Sequence, residues 1–496
     1  MMSFKEYDKK DKNKIFIDSG FVDSQYLWLL PTIDGYCKKI GIKKIIFQRK
    51  LSSKLKKNNF IKIFLENYEV EYLEKKYFII FKLLVLAFSV VIFPFFYFKI
   101  KRSSLLSEKN WFKLQFNHAI WDTSLKLGRD GDLSPSIKNK FKSFYFINYN
   151  FLLSNLLKIN HSIHTSFLSH SVYQGRIFLA SLRKYCTVIC QSAFNLYKQP
   201  KNHDEAWSIL NNEKNLDLIL KEVSDVDAGM YWDNRLSGKG KFYESNIINK
   251  FKNKNIENNI NVIMLHVFRD SAFNFIDKER IYADYIDWVY STLEILKKSE
   301  EKWYIRLHPF SYRWGEDSLK FLDNIKEKLQ INNKNFKVLE DDISNNLIFN
   351  NAKRIVTYSG TAFLEFACYG KKSIIISDVL PKKYQNQIAT KPKSKSHYEQ
   401  LLLEEINNTD FTLKNNEILL SKKILFSREN ITNLASDTGG FFTYRGDKID
   451  VIDKEFKQVE LKVRDNLELF KILGSKYSNN EFTHSVSMKY INKINF

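Results

Sequence analysis

The stretch VTYSGTAFLEFACYGKKSIIISD, Val356–Asp378, decides the reading of the fold. It continues the apolar run RIVTY, which reads as a strand; TAFLEFACYG then reads as a helix and SIIIS as the next strand. Between strand and helix stands Ser359-Gly360-Thr361. Strand, small polar turn and helix are the pieces of a parallel α/β sheet, whose ligands bind at the carboxyl ends of the strands. Gly360 lets backbone approach a ligand closely, and the free N–H groups of the first helical turn favour an anion such as a phosphate. Glu365, about one turn further on, could then accept hydrogen bonds from ribose hydroxyls. The plainer reading is an ordinary cap, with Ser or Thr at its start and Glu365 complementing the helix dipole.

The same alternation extends on both sides. Downstream of residue 261 come the strand VIMLHVF, the amphipathic helix YADYIDWVYSTLEILKK, the strand WYIRLHP, the helix DSLKFLDNIKEKLQ and the strand FKVLE, which predict a doubly wound domain over 261–449. Upstream, KIFIDSG, SQYLWLLPTIDGYCKKIG and IKKIIFQ read as strand, helix interrupted at Pro31, and strand. Residues 164–191 repeat the pattern, so 14–240 is expected to form a Rossmann-like acceptor domain. The polar, Asn- and Lys-rich segment 241–260 reads as a linker, and 450–496 as a helical tail that packs back. The fold class that follows is α/β, with two doubly wound domains facing a cleft.

Composition narrows the partners. The 496 residues, 44% of them hydrophobic, suffice for two or three packed cores. With 78 basic against 56 acidic residues the chain carries +22, which suits phosphate-bearing partners: nucleotide sugars, anionic lipid or nucleic acid. The excess of Lys, Asn, Ile and Phe also fits AT-rich coding, which weakens the nucleic-acid reading. Cys37, Cys186, Cys190 and Cys368 are too few and too scattered for a disulfide framework or a zinc module, and a reducing compartment is expected. Residues 1–14 are charged and polar, unlike a cleavable leader. Residues 78–98, FIIFKLLVLAFSVVIFPFFYF, hold one charge, Lys82, and are long enough to cross a bilayer. They could equally lie within one leaflet, their aromatic end and the following KIKR beside anionic headgroups, or form a buried helix of the first domain.

Candidate chemistry lies after the strands. His308 and Pro309 end WYIRLHP, where an imidazole could donate to a phosphate and the proline stiffens the exit. His266, Arg269 and Asp270 follow VIMLHVF, and Arg269 has the planar fork that clamps phosphate or carboxylate. In the first domain FLSHSVYQGR brings Ser169, His170 and Arg176 to the matching edge, with His170 a candidate general base for a sugar hydroxyl, or else a capping or core histidine. WDTSLKLGRDGD, with Asp122, and YWDNRLSGKGK, with Arg235, read as charge-rich turns. No Walker A, EF-hand or dinucleotide fingerprint is present.

The order of HVFRDSAF, WYIRLHP and YSGTAFLEFACYG, with WDTSLKLGR, LSHSVYQGRIFLA and NRLSGKG before them, resembles the capsule polysaccharide biosynthesis proteins, a group similar to the retaining Kdo transferases of GT-B fold. The likeness runs over roughly 121–378. It implies a glycosyltransferase of surface (capsular or lipopolysaccharide-type) polysaccharide, with a nucleotide-sugar donor, a CMP-linked Kdo-like acid favoured, and a glycan or lipid-linked acceptor. It implies that His308 and Pro309 match the donor-phosphate HP motif and that Ser359 and Thr361 match the Ser-Ser/Thr element. This chain departs from the pattern at Lys371-Lys372 and at DVLPKKYQNQ. With Ser359, Gly360, Thr361, Glu365, His266, Arg269, Asp270, His308 and Pro309 on the donor side and His170 or Asp122 as base, no cofactor and no metal are expected, since no Asp-x-Asp follows a strand. The enzyme is expected at the cytoplasmic face of the plasma membrane, against an anionic surface. Two alternatives stand: a polyol-phosphate transferase of the teichoic-acid polymerase type, and a non-catalytic nucleic-acid-binding protein.

Overall fold

A computed structural model describes residues 13–435 apart from 22, 58, 74–77, 103–104, 106–107, 109, 171, 193–194, 199–212, 238–255, 270–279, 309–310, 312–314, 332–335, 341–342, 405–410 and 431–433. The expected tail at 450–496 and most of the expected linker lie outside these residues. In chain order the strands of the first sheet are β1 Lys14–Ile17, β2 Lys44–Phe47, β3 Glu69–Tyr72, β4 Ile163–Leu168, β5 Thr187–Ser192 and β6 Asn195–Lys198. The second sheet has β7 Ile260–Met264, β8 Trp303–Arg306, β9 Phe336–Val338, β10 Ala352–Thr357, β11 Ser373–Ile375 and β12 Ala389–Thr390, and β13 Leu434–Ala435 returns to the first.

Both sheets have the doubly wound order. The second runs β12-β11-β10-β7-β8-β9, parallel throughout; the first runs β13-β6-β5-β4-β1-β2-β3, parallel except where β6 and β13 turn antiparallel at its edge. Strand direction reverses its winding between β1 and β4 and between β7 and β10, so each sheet has one switch point. The pair of doubly wound α/β sheets expected from the sequence is the architecture found.

The central strands are buried on both faces, as parallel strands must be when helices cover both sides. The Asp23–Ile40 helix runs unbroken through Pro31, which the sequence reading had interrupt it. The Tyr285–Leu296 helix buries Tyr285, Ile286, Trp288, Val289, Leu293 and Leu296, the stripe its spacing announced. Two stretches read as charge-rich turns begin as helix, while Arg129, Asp130 and Asp132 stand in a turn as read: Asp122 lies in Trp111–Lys126, and Arg235 in Asp225–Leu236. Their charges sit on helices whose other residues pack inward, among them Ala119, Ile120 and Trp121 in the first and Ala228 and Trp232 in the second. The helices Glu213–Glu222 and Asp225–Leu236, although they precede the 241–260 segment, share a core with Phe363, Leu364, Ile375 and Leu425 of the second unit.

One core crosses between the units. Ala119, Ile120, Trp121 and Phe144 of the first pack with Ile263, Tyr285, Trp288 and Trp303 of the second. Asp284 fastens this seam: its Oδ1 accepts the Asp287 amide and caps the Tyr285–Leu296 helix, while Oδ2 accepts from Arg102 Nε at 2.8 Å and Trp121 Nε1 at 2.9 Å. Burial pushes the Asp284 carboxyl upward, and the Arg102 charge and Asp287 amide oppose that shift. Trp288, fully buried, donates through Nε1 to the Tyr398 hydroxyl at 2.9 Å. Trp288→Ala is expected to cost about 3–5 kcal/mol, seen as a lower urea midpoint at unchanged slope.

Candidate functional site

Register sets out the donor side of the site. Thr357 pairs with Met264, and Met264 with Arg306, so three residues stand in one row across β10, β7 and β8. Two residues beyond each stand Ser359, His266 and His308. Strands lie roughly 4.8 Å apart, which puts His308 about 10 Å from Ser359 with His266 between them. All three leave the sheet at its carboxyl edge, and His266 and Ser359 flank the switch point.

The contact across that point is close. The Ser359 amide reaches His266 Nε2 at 3.4 Å, and a Cβ built on Gly360 would lie 2.8 Å from His266 Cε1. The glycine is needed because the imidazole occupies the space any side chain would take. Tyr285 holds this histidine from behind: its hydroxyl accepts from the His266 amide at 2.7 Å and the two rings meet edge to face. The imidazole beside the Ser-Gly-Thr turn is therefore His266, with His308 one strand further out. Thr361 begins the Ala362–Cys368 helix without a side-chain cap, so the ordinary capping role does not hold for it. Seven residues give that helix little dipole; what the turn offers is its amides.

Three candidates are engaged elsewhere. The Arg269 guanidinium donates to Gly315 O at 2.7 Å and Gly128 O at 3.1 Å and pairs with Asp130 at 2.6 Å, while its carbonyl accepts from the Tyr173 hydroxyl at 3.0 Å. Gly128, Asp130 and Tyr173 belong to the first unit, so Arg269 ties the units together, where the sequence reading made it a phosphate clamp. Glu365 accepts from Arg235 Nη2 at 2.6 Å, which gives it a cation where ribose was expected. Asp122 is buried 3.8 Å from Arg176, whose guanidinium burial pushes down to about 10 against the pull of Asp122. Pro309 and Asp270 lie outside the described residues.

The first unit brings its own switch point to the same junction. The loop after β4 carries His170, its ring edge-on to Tyr173, and Tyr173 reaches the loop after β7. Tyr173 sits at φ 52°, a left-handed conformation that costs a β-carbon residue about 1–2 kcal/mol, and Gly175 packs so close to His170 O that a Cβ would meet it at 2.1 Å. Across the switch point, at the end of β1, lies a residue the sequence reading passed over. Asp18 accepts from the Ser169 hydroxyl at 2.9 Å and the Gly20 amide at 3.1 Å. Burial pushes its carboxyl up to about 6, against the Ser169 and Gly20 hydrogen bonds and the charge of Arg49. The signal was available in KIFIDSG: an Asp-Ser-Gly turn directly after a central strand, the counterpart of Tyr-Ser-Gly-Thr.

No family model matches the chain, and no curated protein matches it. Among solved structures it is similar to a UDP-GlcNAc 2-epimerase of Methanocaldococcus jannaschii in complex with UDP-GlcNAc and UDP, at 13% identity over 84% of this chain and 99% of that one, TM-score 0.28. It is also similar to HepE of Anabaena in complex with UDP and glucose, at 10% identity over 91% and 99%, TM-score 0.28. A third is a glycosyltransferase of Rickettsia africae, at 12% identity over 93% and 99%, TM-score 0.24. Likeness at these scores assigns no chemistry to this chain.

Two outcomes test the geometry. Gly360→Ala is expected to lower stability by about 1–3 kcal/mol, and His266→Ala in the same chain to relieve most of that loss, giving a non-additive cycle in denaturant titrations. Asp18 binds its proton more tightly folded than unfolded, so its contribution to stability is complete below about pH 4 and is lost as pH rises through about 6. Over that window the wild type should lose on the order of 3 kcal/mol relative to Asp18→Asn.

Proposed function

We propose that the chain is a glycosyltransferase that holds a nucleotide-sugar donor on the second unit and presents an acceptor hydroxyl from the first. The observation that carries this reading is the contact between the loops that leave the two sheets, the Tyr173 hydroxyl donating to Arg269 O, with the Ser359–His266 contact at one switch point and Asp18 at the other. In the transfer, the bond from the anomeric carbon to the donor phosphate breaks and its electron pair leaves on phosphate. The acceptor oxygen bonds the anomeric carbon, and its proton passes to a base. The amides of Gly360 and Thr361, with His308, are suited to the charge that develops on the leaving phosphate, while His266 Nε2, which accepts from the Ser359 amide, holds the turn in position. No such anion hold is available from Arg269, which the seam already uses.

For the base we infer Asp18. A carboxyl near 6 is largely ionised at neutral pH yet basic enough to take a proton, whereas Asp122 faces a buried guanidinium. His170, on the loop beside it, is the second candidate. The donor we infer is a CMP-linked Kdo-like acid and the product a surface polysaccharide; support for that comes from the likeness of HVFRDSAF, WYIRLHP and YSGTAFLEFACYG to the capsule group.

Thermal unfolding of the full chain with CMP, UDP, CDP and CDP-glycerol tests the donor: CMP is expected to raise Tm most, and His266→Ala or His308→Ala to abolish the rise. A rise with CDP-glycerol alone would move the assignment to polyol-phosphate transfer, and no rise with any nucleotide would end the transferase reading. With a donor in hand, kcat/KM should climb with pH through about 6, and Asp18→Asn should lose about 10²–10⁴-fold in kcat and the pH limb, with nucleotide binding intact. Loss in His170→Asn with Asp18→Asn active would transfer the base to His170.

A further inference from the structure

The Phe78–Tyr97 helix leaves most of its surface bare. Ile79 is 65% exposed, Val91 63% and Phe95 72%, and Ile80, Leu83, Leu84, Phe88 and Val90 lie open beside them. Yet the helix is not loose. A narrow stripe, Phe78, Phe81, Val85, Ser89 and Phe93, is laid along the Ile137–Asn160 helix from end to end: Phe78 and Phe81 on Tyr149, Ser89 Oγ accepting from Asn148 Nδ2 at 3.3 Å, Phe93 between Phe141 and Phe144. The supporting helix is itself part of the first unit's core through Leu153 and Leu157, which pack with Phe16 of β1 and Phe178.

A helix of twenty residues with one charge is long enough to cross a bilayer, but crossing would carry the supporting helix with it. That helix starts IKNKFK and holds Lys138, Lys140, Lys142, Asn148, Asn150 and Lys158, side chains that hydrocarbon does not accept. Charge points the same way. Neither helix contains an Asp or Glu, and the apolar helix runs into Lys99 and Lys101. Exposed apolar surface rimmed by cations without a carboxylate on either helix is complementary to a lipid leaflet with anionic headgroups.

We propose that Phe78–Tyr97 is an in-plane anchor: it lies within one leaflet of an anionic membrane, clamped lengthwise to the first unit, with both of its ends on the same side. The proposal is independent of the transferase reading, because lipid binding requires no donor or acceptor.

The four native cysteines are buried, so an impermeant maleimide should report only cysteines introduced on the surface. Full-length chain carrying Glu69→Cys, Lys101→Cys or Phe88→Cys would be bound to sealed phosphatidylglycerol-rich vesicles, with phosphatidylcholine vesicles for comparison. Expected are cosedimentation with the anionic vesicles and much less with phosphatidylcholine, labelling of both Glu69→Cys and Lys101→Cys from outside, and protection of Phe88→Cys only when vesicles are present. Leu84→Glu with Val91→Glu, both at exposed positions, should cut vesicle binding at least tenfold without changing Tm in solution. Labelling of one flank only would mean that the helix spans. Protection of Phe88→Cys without lipid would mean that a second copy covers it, and undiminished binding of the double variant would remove the helix from the membrane contact; each result overturns the proposal.

Discussion

One carboxylate stands at the centre of the seam between the two units of this protein. Asp284 starts the Tyr285–Leu296 helix with one oxygen and takes Arg102 and Trp121 of the first unit with the other. A shared apolar core around Trp121, Tyr285 and Trp288 excludes water from the same seam, which strengthens each hydrogen bond made there. The capped helix follows β7 in the chain, and its first residue, Tyr285, accepts from the His266 amide, so the start of the helix also holds His266. Arg269 closes the opposite side of the junction through Gly128, Asp130 and the Tyr173 hydroxyl. The seam thus determines how the two sheet edges meet.

At those edges the sheets use similar local chemistry for opposite ends. Each central strand runs into a turn of Ser and Gly, and in each the glycine is required by a neighbour that crowds it: Ser169 against Gly20, His266 against Gly360. In one turn the crowding group is a hydroxyl that donates to a buried carboxylate; in the other it is an imidazole facing amides. The first arrangement raises a pKa by removing water, and the second ties the imidazole to the backbone of the turn.

Much of the second sheet was legible in sequence because its strands and helices alternate with little between them, and the turn at Ser359–Thr361 stands out between two apolar runs. The short helices Asn345–Asn351 and Lys382–Ile388 were not, since seven mostly polar residues show no periodicity. Trp111–Lys126 escaped for a different reason. Asn110 caps it and its buried residues face two units at once, so no single apolar stripe marks it. The edge strands β6 and β13 pair antiparallel over a few residues, which the alternation of a parallel sheet does not announce. For the site, position was readable and partnership was not. His266, Arg269 and Glu365 all follow or flank strand ends as expected, but only the packing reveals that Arg269 and Glu365 are occupied by Asp130 and Arg235, and that a glycine and an imidazole compete for one volume.

The residue that joins the seam from the first unit also terminates the apolar segment. Only Phe98–Lys101 separate the last turn of Phe78–Tyr97 from Arg102, and Lys140 bridges the gap by donating to Ile100 O at 3.1 Å. A tether that short has no slack. If lipid sets the height of the helix, it also sets the height and tilt of the Asp284 seam relative to the bilayer plane, as a bracket bolted to a rail sets the tilt of what it carries.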